Sequence, residues 1–235
     1  MQRKISRLLA GCAVALCLCA PAAAQIVIPP GASLDAPSGS IVDLSCSTVD
    51  MQGTLNIGGT LSVDSDVTFG SSAIVSGSNG IISVGGNLSA TGPIDTGSNT
   101  VVLRDGCDPG NTSQISGNFV FQNLTLSSTT GRTFVIPAGA NITVLGTLTL
   151  QGAPGQNIQL VSSGGGTAVI NLGPGATVVR DNATVNGGVQ IGGAAAATNI
   201  PTLSEYGLML MALLMGLAAL WHQRRAPGAM GNRRI

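Results

Sequence analysis

The central region of this 235-residue chain, residues 25–199, contains no Lys, Glu, His, Tyr or Trp. Its charged side chains are nine Asp and three Arg, which leaves a net charge of −6, although the whole chain sums to zero. An acidic body attracts neither nucleic acid nor an anionic lipid surface. It also lacks most of the side chains that serve as catalytic acids, bases and nucleophiles. The composition therefore favours a non-enzymatic protein that needs no cofactor.

Helical periodicity is missing from the same region, and short alternating strands take its place. Apolar residues recur at every second position, as in Leu55-x-Ile57 and Leu148-x-Leu150, and the series runs from Leu55 to Ile191. Such a period of two is typical of half-buried strands. Twenty-nine of the 34 glycines of the chain lie in residues 25–199 and favour tight turns.

Internal repeats indicate how the strands are arranged. Residues 28–32 (IPPGA), 136–140 (IPAGA) and 172–176 (LGPGA) share one turn, and residues 53–57 (GTLNI) and 146–150 (GTLTL) share a strand. Each unit is too small to bury its own apolar face, so neighbouring units must stack. The sequence predicts an all-β fold, a right-handed parallel β-helix (β-solenoid), over residues 25–191. A β-sandwich is the alternative, because its turns recur at a similar spacing.

Cysteine usage predicts one disulfide. Three of the five cysteines lie in residues 1–24, which leaves Cys46 and Cys107 in the central region. A pair of cysteines in an exported chain indicates a disulfide, and closing a loop of about 60 residues stabilises the fold by about 4 kcal/mol. A catalytic thiolate is the alternative, but it would lack a histidine base.

Two acidic clusters are candidate sites. Asp64 and Asp66 are two positions apart, so on a strand they would share one face and could bind calcium, although solvated turn residues are the preferred interpretation. Arg104, Asp105 and Asp108 would suit a carbohydrate-active enzyme, a polysaccharide lyase or hydrolase, if they met in a groove. Their DGCDPG context is typical of a turn, so the sequence favours that role.

The N-terminus has the features of a secretory signal peptide. Three basic residues precede an apolar stretch at 8–20, and the AAA motif at 22–24 predicts cleavage between Ala24 and Gln25. A lipoprotein signal ending at Cys12 is the alternative, but the apolar run continues past this cysteine.

The C-terminal region contains the only long apolar run outside the signal peptide. Residues 207–221 lie between Tyr206 and Trp221, the only Tyr and Trp of the chain, and Arg224 and Arg225 follow. This order predicts a transmembrane helix with interfacial aromatics and a cytoplasmic basic end. Its length is about 22 Å, short of the roughly 30 Å of hydrocarbon, which suits a temporary anchor. A core helix is the alternative, but it would have no helical partner.

The segment before this helix reads IPTLSEYG, with Ile200, Pro201, Thr202, Leu203, Glu205, Tyr206 and Gly207 as the candidate signature residues. It resembles the IPTL-CTERM protein-sorting domain, a variant of the PEP-CTERM signals of exported Gram-negative proteins. Tyr206 stands where that family most often has Trp. The resemblance implies that a membrane-embedded cysteine protease-transpeptidase of the exosortase group cuts near the signature, discards the helix and passes the body to the cell surface. A permanently tail-anchored binding module is the alternative.

These observations predict five segments: a signal peptide at 1–24, a glycine-rich solenoid at 25–191, a linker at 192–199, a sorting signal at 200–225, and a cytoplasmic tail at 226–235. The expected function is that of an exported surface or matrix protein. Its expected partners are the membrane and an exosortase-like enzyme, with surface polysaccharide as a further candidate and no nucleic acid.

Overall fold

The computed structural model describes residues 24–107, 110–192 and 213–215. These residues contain 19 β-strands and one short helical segment at 213–215. The chain divides into two units, Met1–Gly193 and Ala194–Ile235, and every one of these strands belongs to the first unit.

The strands form three parallel stacks, and the chain visits each stack once per coil. The first stack contains β1 (Gln25–Ile28), β4 (Thr48–Met51), β7 (Val67–Phe69), the starts of β10 (Leu88–Asp95) and β12 (Thr112–Ser128), β13 (Thr133–Pro137), β15 (Ile158–Ser163) and β18 (Ala183–Val185). The second contains β2 (Ser33–Ala36), β5 (Thr54–Ile57), β8 (Ile74–Ser76), the end of β10, the middle of β12, the start of β14 (Asn141–Gly152), β16 (Ala168–Leu172) and β19 (Val189–Ile191). The third contains β3 (Ile41–Asp43), β6 (Thr60–Val63), β9 (Ser78–Val84), β11 (Ser98–Leu103), the ends of β12 and β14, and β17 (Thr177–Asp181).

Every pairing between these strands is parallel, which confirms the predicted β-solenoid. The alternative of a β-sandwich is wrong, because sandwiches are built from antiparallel sheets. The right-handed turn of the coil stays a prediction, based on the handedness of parallel crossovers.

The core is a set of rows that run from coil to coil. In the third stack the row is Val42, Leu61, Ile82, Val101, Leu124, Leu148 and Val178. The five middle members are 0–1% exposed, whereas the two end members belong to the first and last strands of this stack and are half-buried. All four phenylalanines are also buried, and Phe119 stacks on Phe121 with ring centroids 5.1 Å apart. Strand alternation therefore directs one apolar set inward throughout the body.

The three repeated turns form corners of the coil. In the turns at 28–32 and 136–140, an alanine amide donates to the carbonyl of a proline three residues earlier, at 3.0 Å. The third glycine-containing turn, at 172–176, is closed by Ala176 donating to Gly173 at 3.1 Å. Gly31, Gly139 and Gly175 have φ between +79° and +94°, a conformation that side chains disfavour. The common sequence therefore encodes one corner geometry.

Two features differ from the strand series read in the sequence. The solenoid begins at Gln25, so β1 to β4 precede the first predicted strand at Leu55. β12 and β14 have 17 and 12 residues, because each continues around a corner through a shift in register instead of stopping at a turn.

In the described parts of the chain, no helix has both the length and the apolar composition that a membrane span requires. The predicted transmembrane helix at 207–221 lies outside the described residues except for 213–215, which are helical. The signal peptide up to residue 23, most of the linker, the signature at 200–207 and the tail at 226–235 also lie outside them.

Candidate functional site

A cleft of about 610 Å³ opens beside the third stack, where its later strands end. It is lined by Arg104 and Asp105 after β11, by Ser127 at the end of β12, by Gln151 near the end of β14, and by Asp181 at the end of β17. The structure thus brings together Arg104 and Asp105 of the sequence hypothesis, whereas Asp108 lies outside the described residues.

Arg104 connects three coils of the solenoid. Its Nε donates to Ser83 Oγ at 2.6 Å, one Nη donates to Ser62 Oγ at 2.9 Å, and the same nitrogen forms an ion pair with Asp64. The other Nη donates to the Asp105 carbonyl at 2.8 Å. The rigid planar guanidinium suits such a set of acceptors, which a lysine could not satisfy together. Most of its hydrogen-bonding capacity therefore serves the fold.

The Asp105 carboxylate is held by the turn after β12. Oδ1 accepts from Ser128 Oγ (2.7 Å) and Thr130 Oγ1 (3.1 Å), and Oδ2 accepts from the Thr129 amide (2.8 Å) and Thr129 Oγ1 (2.9 Å). Burial raises the pKa of the Asp105 carboxyl, but these hydrogen bonds outweigh burial and hold the pKa below its ordinary value of 3.8. The arrangement favours a permanent carboxylate, whereas a general acid needs a raised pKa.

The candidate calcium residues have other partners. Asp64 forms the ion pair with Arg104, and Asp66 Oδ1 accepts from the Asn87 amide at 2.6 Å. Within the described residues, no group of three or more His, Cys, Asp or Glu is arranged to hold a metal ion. Both residues lie in the segment between β6 and β7, where their contacts reach residues of later coils.

Three lining residues, Ser127, Gln151 and Asp181, have no place in the sequence hypothesis. They occupy one row, because Ser127 pairs with Gln151 and Gln151 pairs with Asp181. The signal that could have revealed Ser127 and Gln151 is their position directly after an inward-facing leucine at a strand end, whereas Asp181 follows the exposed Arg180 and carries no such signal. This signal can be used only when it is known which residues of neighbouring coils pair, and the number of residues between paired positions varies along the chain.

Cys46 and Cys107 form the predicted disulfide, with their Cα atoms 5.6 Å apart. Cys46 follows β3, and Cys107 follows β11, three coils further along the third stack. The Cys107 amide donates to the Asp64 carbonyl at 2.7 Å, so the loop after β11 folds back over the intervening coil at Gly85. The disulfide therefore joins the first coil to the fourth.

The predicted signal-cleavage point lies at the start of the solenoid. The Ala24 carbonyl accepts from the Thr48 amide at 2.9 Å, and Gln25 opens β1 opposite Thr48. Cleavage between Ala24 and Gln25 stays a prediction, and it would leave β1 as the first element of the mature chain.

The fold and the cleft define a class: an all-β parallel solenoid, closed by a disulfide, with a polar cleft at the ends of its strands. The family model described as the IPTL-CTERM motif matches residues 198–225, which confirms the resemblance read from IPTLSEYG. This motif implies export to the bacterial cell envelope or surface. No curated protein and no solved structure matches the chain.

Proposed function

We propose that this chain is an exported, non-enzymatic surface or matrix protein of a Gram-negative bacterium, delivered through its C-terminal sorting signal. The match to the IPTL-CTERM motif at residues 198–225 carries the proposal. The signal peptide directs the chain across the inner membrane, and the apolar segment at 207–221 holds it there. An exosortase-like enzyme then cuts near the signature and releases the solenoid to the envelope.

The described body supports a role as a displayed surface. Its outward side chains are mainly Ser, Thr, Asn and Asp, and its disulfide suits an oxidising compartment. The contacts of Arg104 and Asp105 link neighbouring coils, which uses the charged groups for stability.

The cleft favours one second candidate function, a carbohydrate-active enzyme, because Arg104 and Asp105 line it together. Catalysis by Asp105 as a general acid would need a raised pKa, and the pKa of Asp105 is lowered. We therefore keep the non-enzymatic proposal, and we expect the Asp105→Asn variant and the wild type to release equal amounts of reducing sugar from polysaccharide.

Processing can be tested by placing one tag on each side of Gly207 and measuring the mass of the exported form in the native host. We expect the mature species to retain the N-terminal tag and to lack residues 209–221. A mature species that retains this segment would instead support the permanently anchored binding module.

Recognition of the signature can be tested separately with the double variant Pro201→Ala/Gly207→Ala. Pro201 biases Ile200 towards an extended conformation, which is the form that a protease binds. The variant should therefore accumulate in its unprocessed form. The matched control is Pro227→Ala/Gly228→Ala, which makes the same changes beyond the matched residues. Normal maturation of Pro201→Ala/Gly207→Ala would contradict the proposed recognition of the signature.

A further inference from the structure

The cleft runs across four successive coils of the third stack. Ser127, Gln151 and Asp181 are paired from strand to strand, and Arg104 follows Leu103, whose partner Leu126 precedes Ser127. With neighbouring strands about 4.8 Å apart, this row extends about 14 Å. The length and the volume of about 610 Å³ fit an elongated ligand of several linked units.

The two walls of the cleft are held by contacts of the fold. On one side, four hydrogen bonds between Asp105 and residues 128–130 fix the turn after β12. On the other side, the Gln156 amide donates to the Ala153 carbonyl at 2.9 Å and closes the turn after β14. A Cβ at Gly152 would overlap the Asn182 carbonyl oxygen, so this wall packs tightly on the next coil. A preformed cleft needs little ordering when a ligand binds.

The floor of the cleft presents hydrogen-bonding groups of both kinds in a row. Arg104 keeps one of its five N–H groups for a ligand beyond its four contacts within the fold, the exposed Gln151 amide can donate and accept, and the exposed Asp181 carboxylate accepts. Ala153 and Pro154 add a small apolar surface beside this row. Alternating donors and acceptors next to an apolar strip match the hydroxyls and the C–H faces of sugar rings.

The charges of the cleft select against anions. The Arg104 charge is paired with Asp64, whereas Asp105 and Asp181 add two carboxylates. Phosphates, nucleic acids and acidic polysaccharides would therefore be repelled. We infer that the cleft binds a neutral oligosaccharide, laid along the row from Arg104 to Asp181. This inference deepens the proposed surface function, on which it rests, by naming the chemical class of the partner.

The inference can be tested by NMR on the full chain, purified in detergent and labelled with ¹⁵N. The probes are cellotetraose and maltotetraose, which are neutral, and tetragalacturonic acid, which is anionic. We expect at least one neutral tetrasaccharide to shift the Gln151 side-chain amide and the backbone amides of Ser127 and Asp181. Absence of these shifts with both neutral probes, or tighter binding of the anionic one, would overturn the inference.

Two variants then separate the cleft from the rest of the surface. Gln151→Ala and Asp181→Asn should each weaken binding by about tenfold, because each removes hydrogen bonds to the sugar. Gln190→Ala is the matched control, because Gln190 is an exposed glutamine of β19 in the second stack, away from the cleft. The Gln190→Ala variant should bind the oligosaccharide with the affinity of the wild type. Unchanged binding by both cleft variants would also overturn the inference.

Binding by the purified chain does not depend on delivery in the cell. If the host processes the protein as proposed but the purified chain does not bind the oligosaccharide, only the oligosaccharide inference is contradicted. If the chain binds the oligosaccharide but the host leaves its C-terminal segment in place, only the proposed processing is contradicted.

Discussion

Asp105 illustrates how a single side chain joins distant parts of the sequence. Its carboxylate accepts four hydrogen bonds from residues 128–130, which follow it by 23 to 25 positions and lie one coil further on. Replacing Asp105 with Asn should lower the free energy of unfolding by about 1–2 kcal/mol near neutral pH, because the amide group accepts at one atom only.

This effect should depend on pH. Because the folded-state pKa of Asp105 lies below the ordinary 3.8, its stabilisation is complete above that value and is lost as the pH falls through the folded value. In urea unfolding, the difference in stability between the wild type and Asp105→Asn should therefore begin to shrink only below pH 3.8 and should decrease further as the pH falls through the folded pKa. The control is Asp95→Asn, because the Asp95 carboxylate accepts a hydrogen bond from the Gly97 amide within its own turn and this hydrogen bond does not join two coils. A difference for Asp105→Asn that stays constant down to strongly acidic pH would contradict this prediction.

Arg132 is a residue whose role composition could not reveal. It is 2% exposed, and its two Nη atoms donate to the carbonyls of Gly85 (3.2 Å) and Gly110 (2.9 Å). Its Nε is buried without a hydrogen-bond partner among the described residues. Arginine is rarely so buried, so the residue type by itself favours an exposed position. Only the coil geometry, which brings Gly85 within reach, makes an interior position possible.

Among the structural elements, the corner after β11 packs tightly on neighbouring coils at Gly106. A Cβ there would overlap the carbonyl oxygens of Asp64 and Gly85, so Gly106→Ala should destabilise the fold by about 2 kcal/mol. At Gly187 an added Cβ meets no atom within 4 Å, so Gly187→Ala is the matched control. Thermal unfolding followed by circular dichroism would compare them. Equal thermal unfolding midpoints for Gly106→Ala and the wild type would contradict the tight packing at Gly106.

The disulfide stabilises the same corner region. It spans 61 residues, so the double variant Cys46→Ser/Cys107→Ser should lose about 4 kcal/mol in free energy of unfolding. Urea titration would measure the loss, and the wild type in excess reductant should lose a similar amount. Equal stability of the reduced and the oxidised wild type would contradict this prediction, because the disulfide would then contribute nothing to the free energy of unfolding.

The elements were predictable to different degrees. Alternation marked Leu61, Leu124 and Leu148 as inward residues, and the IPPGA-type repeats marked corners, because both depend on local geometry. The individual strands of the first coil were not predicted, although that coil lies within the predicted solenoid, because they are short and half-exposed. The length of β12 was not readable either, because a strand that bends around a corner has no turn residue to mark the bend.

At the scale of the whole molecule, the third stack ends in a charge. The buried row Val63, Val84, Leu103, Leu126 and Leu150 continues in register to Arg180, whose side chain is exposed. Among the described strands, β17 pairs with β14 alone, so its other edge is unpaired within the described body. A charged residue at an inward position is a common protection of such an edge.

Replacing Arg180 with Leu should therefore promote association of the chain. The variant continues the apolar row to the unpaired edge, and sedimentation velocity should show a larger fraction of oligomers than in the wild type. Arg180→Lys keeps the charge and serves as the control. A sedimentation profile of Arg180→Leu that matches that control at every concentration would argue against edge protection.

Local sequence was sufficient for the all-β class, the inward rows, the disulfide pair and the sorting motif, because alternation, turn chemistry and short peptide signatures act over a few residues. The cleft and the burial of Arg132 depended on the tertiary structure. Neighbouring coils pair residues 18 positions apart at Val49 and Val67 but 30 apart at Thr147 and Thr177. Since this spacing varies, only the folded register decides that Arg104, Ser127, Gln151 and Asp181 form one surface.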